Sequence, residues 1–168
     1  MLHSDISDMP AATAQRQRRA LFAGSFNPFT VGHQSLVDRG LALFDKIVIA
    51  VGISATKPVT EAEIAERLEP IRRLYADNDN VEVISYTGLT VDAARSNGCQ
   101  FLLRGIRNAI DLEYERQLAD INRHISGIET VMLLTLPELS AVSSSTVREL
   151  KRYGHDVNDF LPNPKNNH

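Results

Sequence analysis

The residues with the clearest chemical meaning lie in the segment 24–33, which reads Gly-Ser-Phe-Asn-Pro-Phe-Thr-Val-Gly-His. The hydroxyls of Ser25 and Thr30 can donate hydrogen bonds, and Gly32 has no side chain to keep a phosphate away from its backbone. His33 lies where a helix is predicted to begin, beside free backbone N–H groups and the positive end of the helix dipole. This turn is therefore predicted to bind nucleotide phosphates.

The turn differs from two better-known phosphate-binding motifs. The Walker loop requires a lysine that this segment lacks, and the dinucleotide fingerprint requires a glycine two positions after Gly24. What remains is Thr-x-Gly-His after a Gly-Ser-Phe-x-Pro turn. A tight turn with a capping histidine is the plainer interpretation, but the glycine, the histidine and the strand–turn–helix context together favour a phosphate site.

Two arginines, Arg104 and Arg107, follow the fourth predicted strand. Arginine presents a planar fork of N–H donors that suits phosphate oxygens, so the pair could grip two phosphates, or a phosphate and a base. Solvated surface arginines are the alternative interpretation. Lys57 is a lone lysine on the loop after the second strand, and taken alone it reads as a surface charge.

A run of four hydroxyl residues, 143–146, precedes the last predicted helix. Hydroxyls and free N–H groups at a helix start form an anion site. Plain capping, with Thr146 and Glu149 as a capping box, accounts for one or two of these hydroxyls but not for four in a row.

Strands and helices alternate along the chain, which predicts a single α/β domain of Rossmann-like type with a five-stranded parallel sheet and helices on both faces. Ligands of such folds bind beyond the carboxyl ends of the strands, and each candidate loop follows a strand. Thr60 and Glu63 form a candidate capping box at the start of the second helix, and Pro70 is expected to kink or split that helix. The predicted strands are residues 20–23, 47–51, 81–86, 100–103 and 131–135, and the predicted helices are residues 34–44, 60–75, 91–96, 109–125 and 145–153.

Composition narrows the class of protein. The 168 residues suit one domain, predicted over residues 19–162 with flexible tails at 1–18 and 163–168. A net charge of −3 argues against a general nucleic-acid binder. The single cysteine, Cys99, excludes an intramolecular disulfide and favours the cytoplasm. No apolar run is long enough to predict a membrane span.

Taken in order and spacing, these motifs resemble the bacterial phosphopantetheine adenylyltransferase family, within the nucleotidyltransferases that carry a Thr/His-x-Gly-His signature. The resemblance covers about residues 19–162. The blocks at 104–107, 113–118, 122–123 and 143–147 match this family more closely than the superfamily. The family transfers AMP from ATP to 4′-phosphopantetheine, giving dephospho-coenzyme A and pyrophosphate.

The resemblance implies a role for each candidate residue. His33 would stabilise the transition state at the α-phosphate. Mg²⁺ is implied with ATP, without a dedicated metal cage, and so is a homohexamer. The implied ATP contacts are Ser25, Phe26, His33, Gly105, Ile106, Arg107, Glu115, Leu139, Ser140, Ala141, Val142, Ser143, Ser144 and Ser145, and the implied contacts to 4′-phosphopantetheine are Ser25, Lys57, Thr90 and Arg104.

Two other functions fit part of the pattern. A nicotinate or nicotinamide mononucleotide adenylyltransferase often has the Gly-Ser-Phe-Asn-Pro turn, whereas the phosphopantetheine family usually has Asp where this chain has Asn27. That alternative typically has His at the position of Thr30, however, and it fits the 104–107 and 113–115 blocks poorly. A non-catalytic nucleotide sensor on the same fold is the other alternative, and it predicts a damaged transition-state site.

Overall fold

The computed structural model describes residues 16–163. Of the predicted tails, 1–18 and 163–168, residues 1–15 and 164–168 lie outside the described residues. Arg18, which the sequence places in the N-terminal tail, is attached to the domain: its main-chain N–H and its guanidinium both donate to the Asp45 carboxylate. The folded domain therefore begins at least one residue before the predicted boundary.

The centre of the domain is a parallel five-stranded sheet, as predicted, and the structure gives its strand order as β3-β2-β1-β4-β5. The first two strands are apolar along nearly their whole length, because central parallel strands are covered on both faces. Strand order reverses between β1 and its neighbour β4, which creates a crevice at their carboxyl ends. The strands are β1 Arg19–Gly24, β2 Lys46–Gly52, β3 Val81–Tyr86, β4 Phe101–Ile106 and β5 Glu129–Leu134.

Helices cover both faces of the sheet, because successive strand residues point to opposite sides. Phe22 and Ile49 pack in one core cluster with α1 and α2, whereas Leu21 and Val48 pack in a second cluster with α3. Helix α4 packs against β4 and β5. The α-helices are α1 Val31–Gly40, α2 Glu61–Leu74, α3 Thr90–Ser96, α4 Ala109–Ser126 and α5 Ser144–Arg152, and short 3-10 turns occupy Pro137–Leu139 and Asn158–Phe160.

Helix α2 corrects one expectation: it is not split at Pro70 but runs unbroken from Glu61 to Leu74. A proline removes one hydrogen bond from a helix interior. Here the burial of Leu68, Ile71 and Leu74 holds the second half of the helix against the core. The predicted capping box at Thr60 is present, with Thr60 and Glu63 bonded reciprocally.

The fourth strand is longer than predicted, since it continues through Arg104 and Gly105 to Ile106. These residues were expected on a loop, but they pair in register with residues 132–134 of β5. The arginine side chain is therefore fixed by a strand. Within the described part of the chain, no helix is long and apolar enough to cross a membrane.

Candidate active site

A cavity of about 370 Å³ lies at the carboxyl ends of β1 and β4, where the strand order reverses. It brings together residues from the turn after β1, the end of β4, the start of α4 and the start of α5. The predicted site residues that line it are Ser25, Phe26, His33, Arg104, Gly105, Arg107, Glu115, Val142, Ser143, Ser144 and Ser145.

The turn after β1 is built around buried aromatic rings. The Phe26 backbone adopts φ 43°, a left-handed conformation that non-glycine residues rarely take. Its ring is buried and lies 5.0 Å from the His33 ring and 5.2 Å from that of Phe29, centroid to centroid. Gly24 leaves room for that ring, since a Cβ there would come within 2.8 Å of it. Packing therefore fixes the turn before any ligand binds.

His33 is held by the residue that caps its helix. Thr30 is 1% exposed, and its main-chain N–H donates to His33 Nδ1 at 2.9 Å. The Thr30 hydroxyl oxygen lies 3.0 Å from the same nitrogen and also caps the His33 main-chain N–H. Since Nδ1 accepts a hydrogen bond, the neutral ring carries its proton on Nε2. The ring therefore offers one N–H to the cavity that it lines.

The electrostatic surroundings keep this ring neutral. Burial, together with the charges of Arg107 and Arg104, lowers the pKa of His33 to about 4. Near neutral pH the imidazole is uncharged and acts as a hydrogen-bond donor. An uncharged donor suits a site that develops negative charge on a phosphate during reaction.

Arg104 is immobilised by three contacts. Its Nε and Nη2 donate to the two carboxylate oxygens of Glu115 at 2.8 and 2.6 Å, and its Nη1 donates to the Ala23 carbonyl at 2.7 Å. Bidentate pairs of this kind are among the stronger hydrogen bonds of proteins. One N–H remains on each terminal nitrogen, which is the number that a bidentate phosphate contact requires.

Arg107 has a separate carboxylate partner. Asp111 accepts from the main-chain N–H of Arg107 at 3.1 Å and from its Nε at 2.9 Å. The donating guanidinium holds the pKa of the Asp111 carboxyl below its usual value. The first turn of α4 thus fixes the second arginine at the cavity wall.

The serines before α5 are more structural than the sequence indicates. Ser143 caps the helix by accepting from the Thr146 N–H, so the predicted Thr146–Glu149 capping box is wrong. Ser144 donates to the Pro28 carbonyl at 2.8 Å, which joins the two phosphate-site turns. The Ser145 hydroxyl accepts from Arg148. Main-chain N–H groups at the start of α5, more than hydroxyls, are left to face an anion.

Several predicted residues do not line this cavity. Lys57 lies on an exposed loop, and the Thr90 hydroxyl pairs with the Tyr86 hydroxyl at 2.9 Å. Ile106 is buried at the end of β4, where its main-chain carbonyl accepts from the Thr135 N–H. Leu139, Ser140 and Ala141 lie just before the serines, outside the cavity lining.

Comparison with known proteins identifies the group to which the chain belongs. The Cytidylyltransferase-like family model matches residues 21–150. A phosphopantetheine adenylyltransferase from Porphyromonas gingivalis is 54% identical over 85% of this chain and 93% of its own length. The chain belongs to the phosphopantetheine adenylyltransferase family. Relatives of the same name from Bacteroides thetaiotaomicron and Flavobacterium johnsoniae are 50% and 44% identical, each over 86% of this chain and 95% of their own length.

Solved structures outside this family share its fold. A chain from Vibrio parahaemolyticus, assigned as a nicotinate-nucleotide adenylyltransferase, superposes with a TM-score of 0.60 at 13% identity and covers 88% of this chain and 94% of its own. A bifunctional NMN adenylyltransferase/ADP ribose pyrophosphatase from Francisella tularensis gives 0.64 at 13% identity, over 89% and 46%. At such low identity the likeness concerns the fold alone.

Arg148, Asp111 and Thr135 also line the cavity, although they were not among the predicted contacts. Arg148 donates to the Asn27 carbonyl at 2.6 Å and so ties α5 to the turn after β1. Its position one turn after the serines was the available signal. Asn27 itself is exposed and does not line the cavity, so its side chain is not part of the cavity wall.

Gly105 is explained by packing. A Cβ at this position would clash with a methyl group of Leu36, so a larger residue here would force the Leu36 side chain to move. Gly105 therefore has a packing role in the block 104–107, which also contains the two arginines.

Proposed function

We propose that this chain transfers the adenylyl group of ATP to 4′-phosphopantetheine in the cytoplasm, giving dephospho-coenzyme A and pyrophosphate in a reversible step of coenzyme A biosynthesis. The observation that carries the proposal is the state of His33. Thr30 orients its imidazole, burial and two arginines keep the ring neutral, and the ring lines a cavity together with those arginines and the start of α5. Membership of the family supports the choice of acceptor.

The proposed reaction requires the protein mainly to position the two substrates and to stabilise the charge that develops on the α-phosphate. The attacking group is a phosphate oxygen, already anionic near neutral pH, so neither a general base nor a protein nucleophile is required. In-line attack on the α-phosphate builds negative charge there, which fixed donors stabilise. His33 Nε2–H is our candidate for that donor.

On the nucleotide side, we assign the ATP phosphates to the turn after β1 and the start of α5. Ser25 and Phe26 border this region, and residues 143–145 present main-chain N–H groups at a helix N-terminus. Arg107 closes the cavity near the start of α4. Gly105, Ile106 and residues 139–142 are the remaining proposed ATP contacts.

On the acceptor side, we assign the phosphate of 4′-phosphopantetheine to Arg104, whose two remaining N–H groups match two phosphate oxygens. Ser25 lies at the same cavity and is proposed to contact both substrates. Lys57 and Thr90 follow β2 and β3, at the same edge of the sheet. They are proposed to contact the acceptor from the open side.

Magnesium is proposed to enter with ATP as part of the substrate. In the part of the chain that the structure describes, no three acidic, histidine or cysteine side chains come together as a metal site. The two carboxylates at the cavity, Asp111 and Glu115, are each paired with an arginine. These residues do not fit a resident metal ion, so we assign no catalytic step to one.

A homohexamer is proposed from the family resemblance. The supporting observation is an apolar stripe on the outer face of α4, where Ile110, Tyr114, Ile121 and Ile125 are between 47% and 82% exposed. A contiguous stripe of exposed apolar side chains on a surface helix often marks a contact with another chain.

The function is tested by measuring pyrophosphate release from Mg–ATP with three acceptors in parallel: 4′-phosphopantetheine, nicotinate mononucleotide and nicotinamide mononucleotide. We expect release with 4′-phosphopantetheine alone. Release with a mononucleotide alone would contradict the proposal and favour the alternative transferase. ATP binding without release for any acceptor would favour the nucleotide sensor.

A further inference from the structure

A second cavity adjoins the turn after β1. It encloses about 600 Å³, against about 370 Å³ for the candidate active site, and cavities of roughly 300 to 1,000 Å³ are the usual size of small-molecule sites. Its walls come from the turn, α2, α5 and residues 157–162. Among residues 16–163, the two cavities share only Phe26 and Arg148 as lining residues. The second cavity is therefore separate from the candidate active site.

The floor of this second cavity is apolar and rich in flat rings. Phe26 and Phe29 contribute buried aromatic rings from the turn. Buried aliphatic side chains and three proline rings complete the apolar lining, namely Ile71, Leu74, Val147, Pro28, Pro70 and Pro162. Flat apolar walls favour a flat apolar ligand, because contact over a whole ring face buries the most apolar surface and gains the most dispersion energy. We therefore expect an aromatic body in this cavity.

The charged residues of the lining include a lysine without a partner. Lys151, in the last turn of α5, has no ion pair or side-chain hydrogen bond to any residue that the structure describes. Arg67 interacts with Glu63, whose carboxylate is already engaged in capping the start of α2. With Arg148, three cations of the lining outnumber its two carboxylates, Glu63 and Glu66. This excess of positive charge favours an anionic group on the ligand.

Arg148 connects the second cavity to the turn that holds His33. It lines both cavities, and its Nη1 donates to the Asn27 carbonyl at 2.6 Å. Phe29, whose ring lies 5.3 Å from that of His33, lines the second cavity as well. A carboxylate is a stronger acceptor for a guanidinium than a neutral carbonyl is. An anion in the second cavity therefore competes with Asn27 for Arg148.

We propose that the second cavity is an inhibitory site for a small aromatic carboxylate. The aromatic body packs on the apolar floor, and the carboxylate pairs with Lys151 and Arg148. Binding draws Arg148 away from the Asn27 carbonyl, which leaves the Ser144 hydroxyl on the Pro28 carbonyl to join α5 to the turn. Binding at this site is independent of the function proposed above, whereas its effect on turnover rests on that function.

Binding of naphthalene-2-carboxylate, which has a flat apolar body and one carboxylate, provides the first test. Calorimetry should show one site per chain with a dissociation constant of about 1 mM or less. Lys151→Glu should weaken binding about tenfold or more, because a like-charge repulsion replaces an attraction. Arg152→Glu is the matched control. Arg152 is the next residue of α5 but lies outside the cavity lining, so this variant should bind the probe within about threefold of the wild type.

Two calorimetric results would overturn the site. An absence of binding at several times the expected dissociation constant would mean that the cavity is closed or filled by the chain itself. Equal weakening by Lys151→Glu and Arg152→Glu would mean that Lys151 does not contact the carboxylate. The two variants place an acid at the same end of α5, so a general effect on the helix should appear in both.

Inhibition of pyrophosphate release from Mg–ATP and 4′-phosphopantetheine provides the second test. Saturating probe should lower the kcat of the wild type by about fivefold or more, and saturating substrates should not relieve the inhibition. Lys151→Glu should turn over like the wild type without the probe and should resist the probe, because Lys151 is not among the proposed substrate contacts.

Two kinetic results would contradict the proposal. Relief of inhibition by saturating substrate would place the probe in the candidate active site, and binding without inhibition would show that the second cavity does not control the turn. A chain that fails to use 4′-phosphopantetheine would instead overturn the proposed function, while calorimetry would still decide whether the second cavity binds the probe.

Discussion

The two sides of the candidate site differ in how firmly their side chains are held in place by neighbouring residues. Around β1 and β4, His33 and Arg104 each have their orientation set by partners that are buried or lie in the main chain, namely Thr30, Glu115 and the Ala23 carbonyl. Beyond β2, the side chain of Lys57 is exposed on a loop in which the Ser54 and Thr56 hydroxyls bond to each other.

This difference indicates which of the proposed substrate contacts are already oriented in the free chain. The donors proposed for the α-phosphate and the acceptor phosphate are oriented before substrates arrive, which is the condition for electrostatic stabilisation without reorganisation. On the open side, the side chain of Lys57 has no such partner among the described residues, so we expect the bound acceptor to order it. Residues of the organised side should therefore have larger effects on rate and affinity than Lys57.

The largest effect is expected for His33→Ala. Loss of an oriented donor at the α-phosphate should lower kcat by about two orders of magnitude or more. The dissociation constant for ATP should stay within about threefold, because the other phosphate contacts remain. Turnover is measured by pyrophosphate release, and ATP binding by calorimetry. His155→Ala, an exposed histidine, is the control. Near-normal turnover of the His33 variant would remove His33 from the mechanism.

The second prediction concerns the neutral state of His33. Its pKa is lowered to about 4 in the folded chain, against about 6.5 when unfolded. The stability that depends on the neutral ring is complete above pH 6.5 and is lost as pH falls toward 4, by about 3 kcal/mol in total. Denaturant unfolding at a series of pH values measures this loss. The loss should be absent from the corresponding curve of His33→Gln, and parallel curves for the two proteins would contradict the low pKa.

Arg104→Ala should have an intermediate effect. Removing the guanidinium should raise the KM for 4′-phosphopantetheine by about tenfold or more, and raise it more than the KM for ATP. The variant also leaves Glu115 buried without its partner, so thermal stability must be measured beside the kinetics. Equal increases in both KM values would mean that Arg104 serves the nucleotide as well.

Lys57→Ala should have the smallest effect. An exposed lysine that acts through charge alone is expected to change the acceptor KM by a few-fold and to leave the free energy of unfolding unchanged. The kinetics should be repeated at two salt concentrations, since a screened contact loses its contribution at high salt. A change larger than that of Arg104→Ala would reverse the comparison between the two sides.

The fold was predictable because its signals are local. Apolar strands alternating with capped helices define a parallel sheet, and the sequence showed the Thr60–Glu63 box directly. The strand end at Arg104–Ile106 was missed because pairing with β5, a tertiary contact, extends a strand through polar residues and glycine. The continuity of α2 through Pro70 likewise depends on burial that no local pattern reports.

The sequence predicted many of the residues that line the cavity, but not the contacts between them. Glycine, serine, histidine and arginine types indicated phosphate chemistry. That Glu115 would face Arg104, and that Thr30 would accept and donate at His33, depends on which strands and helices become neighbours. Arg148 was overlooked because its contact to Asn27 spans 121 residues of the sequence.

The central claim is that AMP passes directly from ATP to 4′-phosphopantetheine on donors that are already in place. The most direct measurement is the stereochemical outcome at the α-phosphorus, using an ATP analogue with sulfur at one α-phosphate oxygen and 4′-phosphopantetheine as the acceptor. A single in-line displacement predicts a dephospho-coenzyme A analogue with inverted configuration. Retention would reveal a covalent enzyme intermediate and contradict the account, as would the absence of this product with both ATP and its analogue while ATP binds.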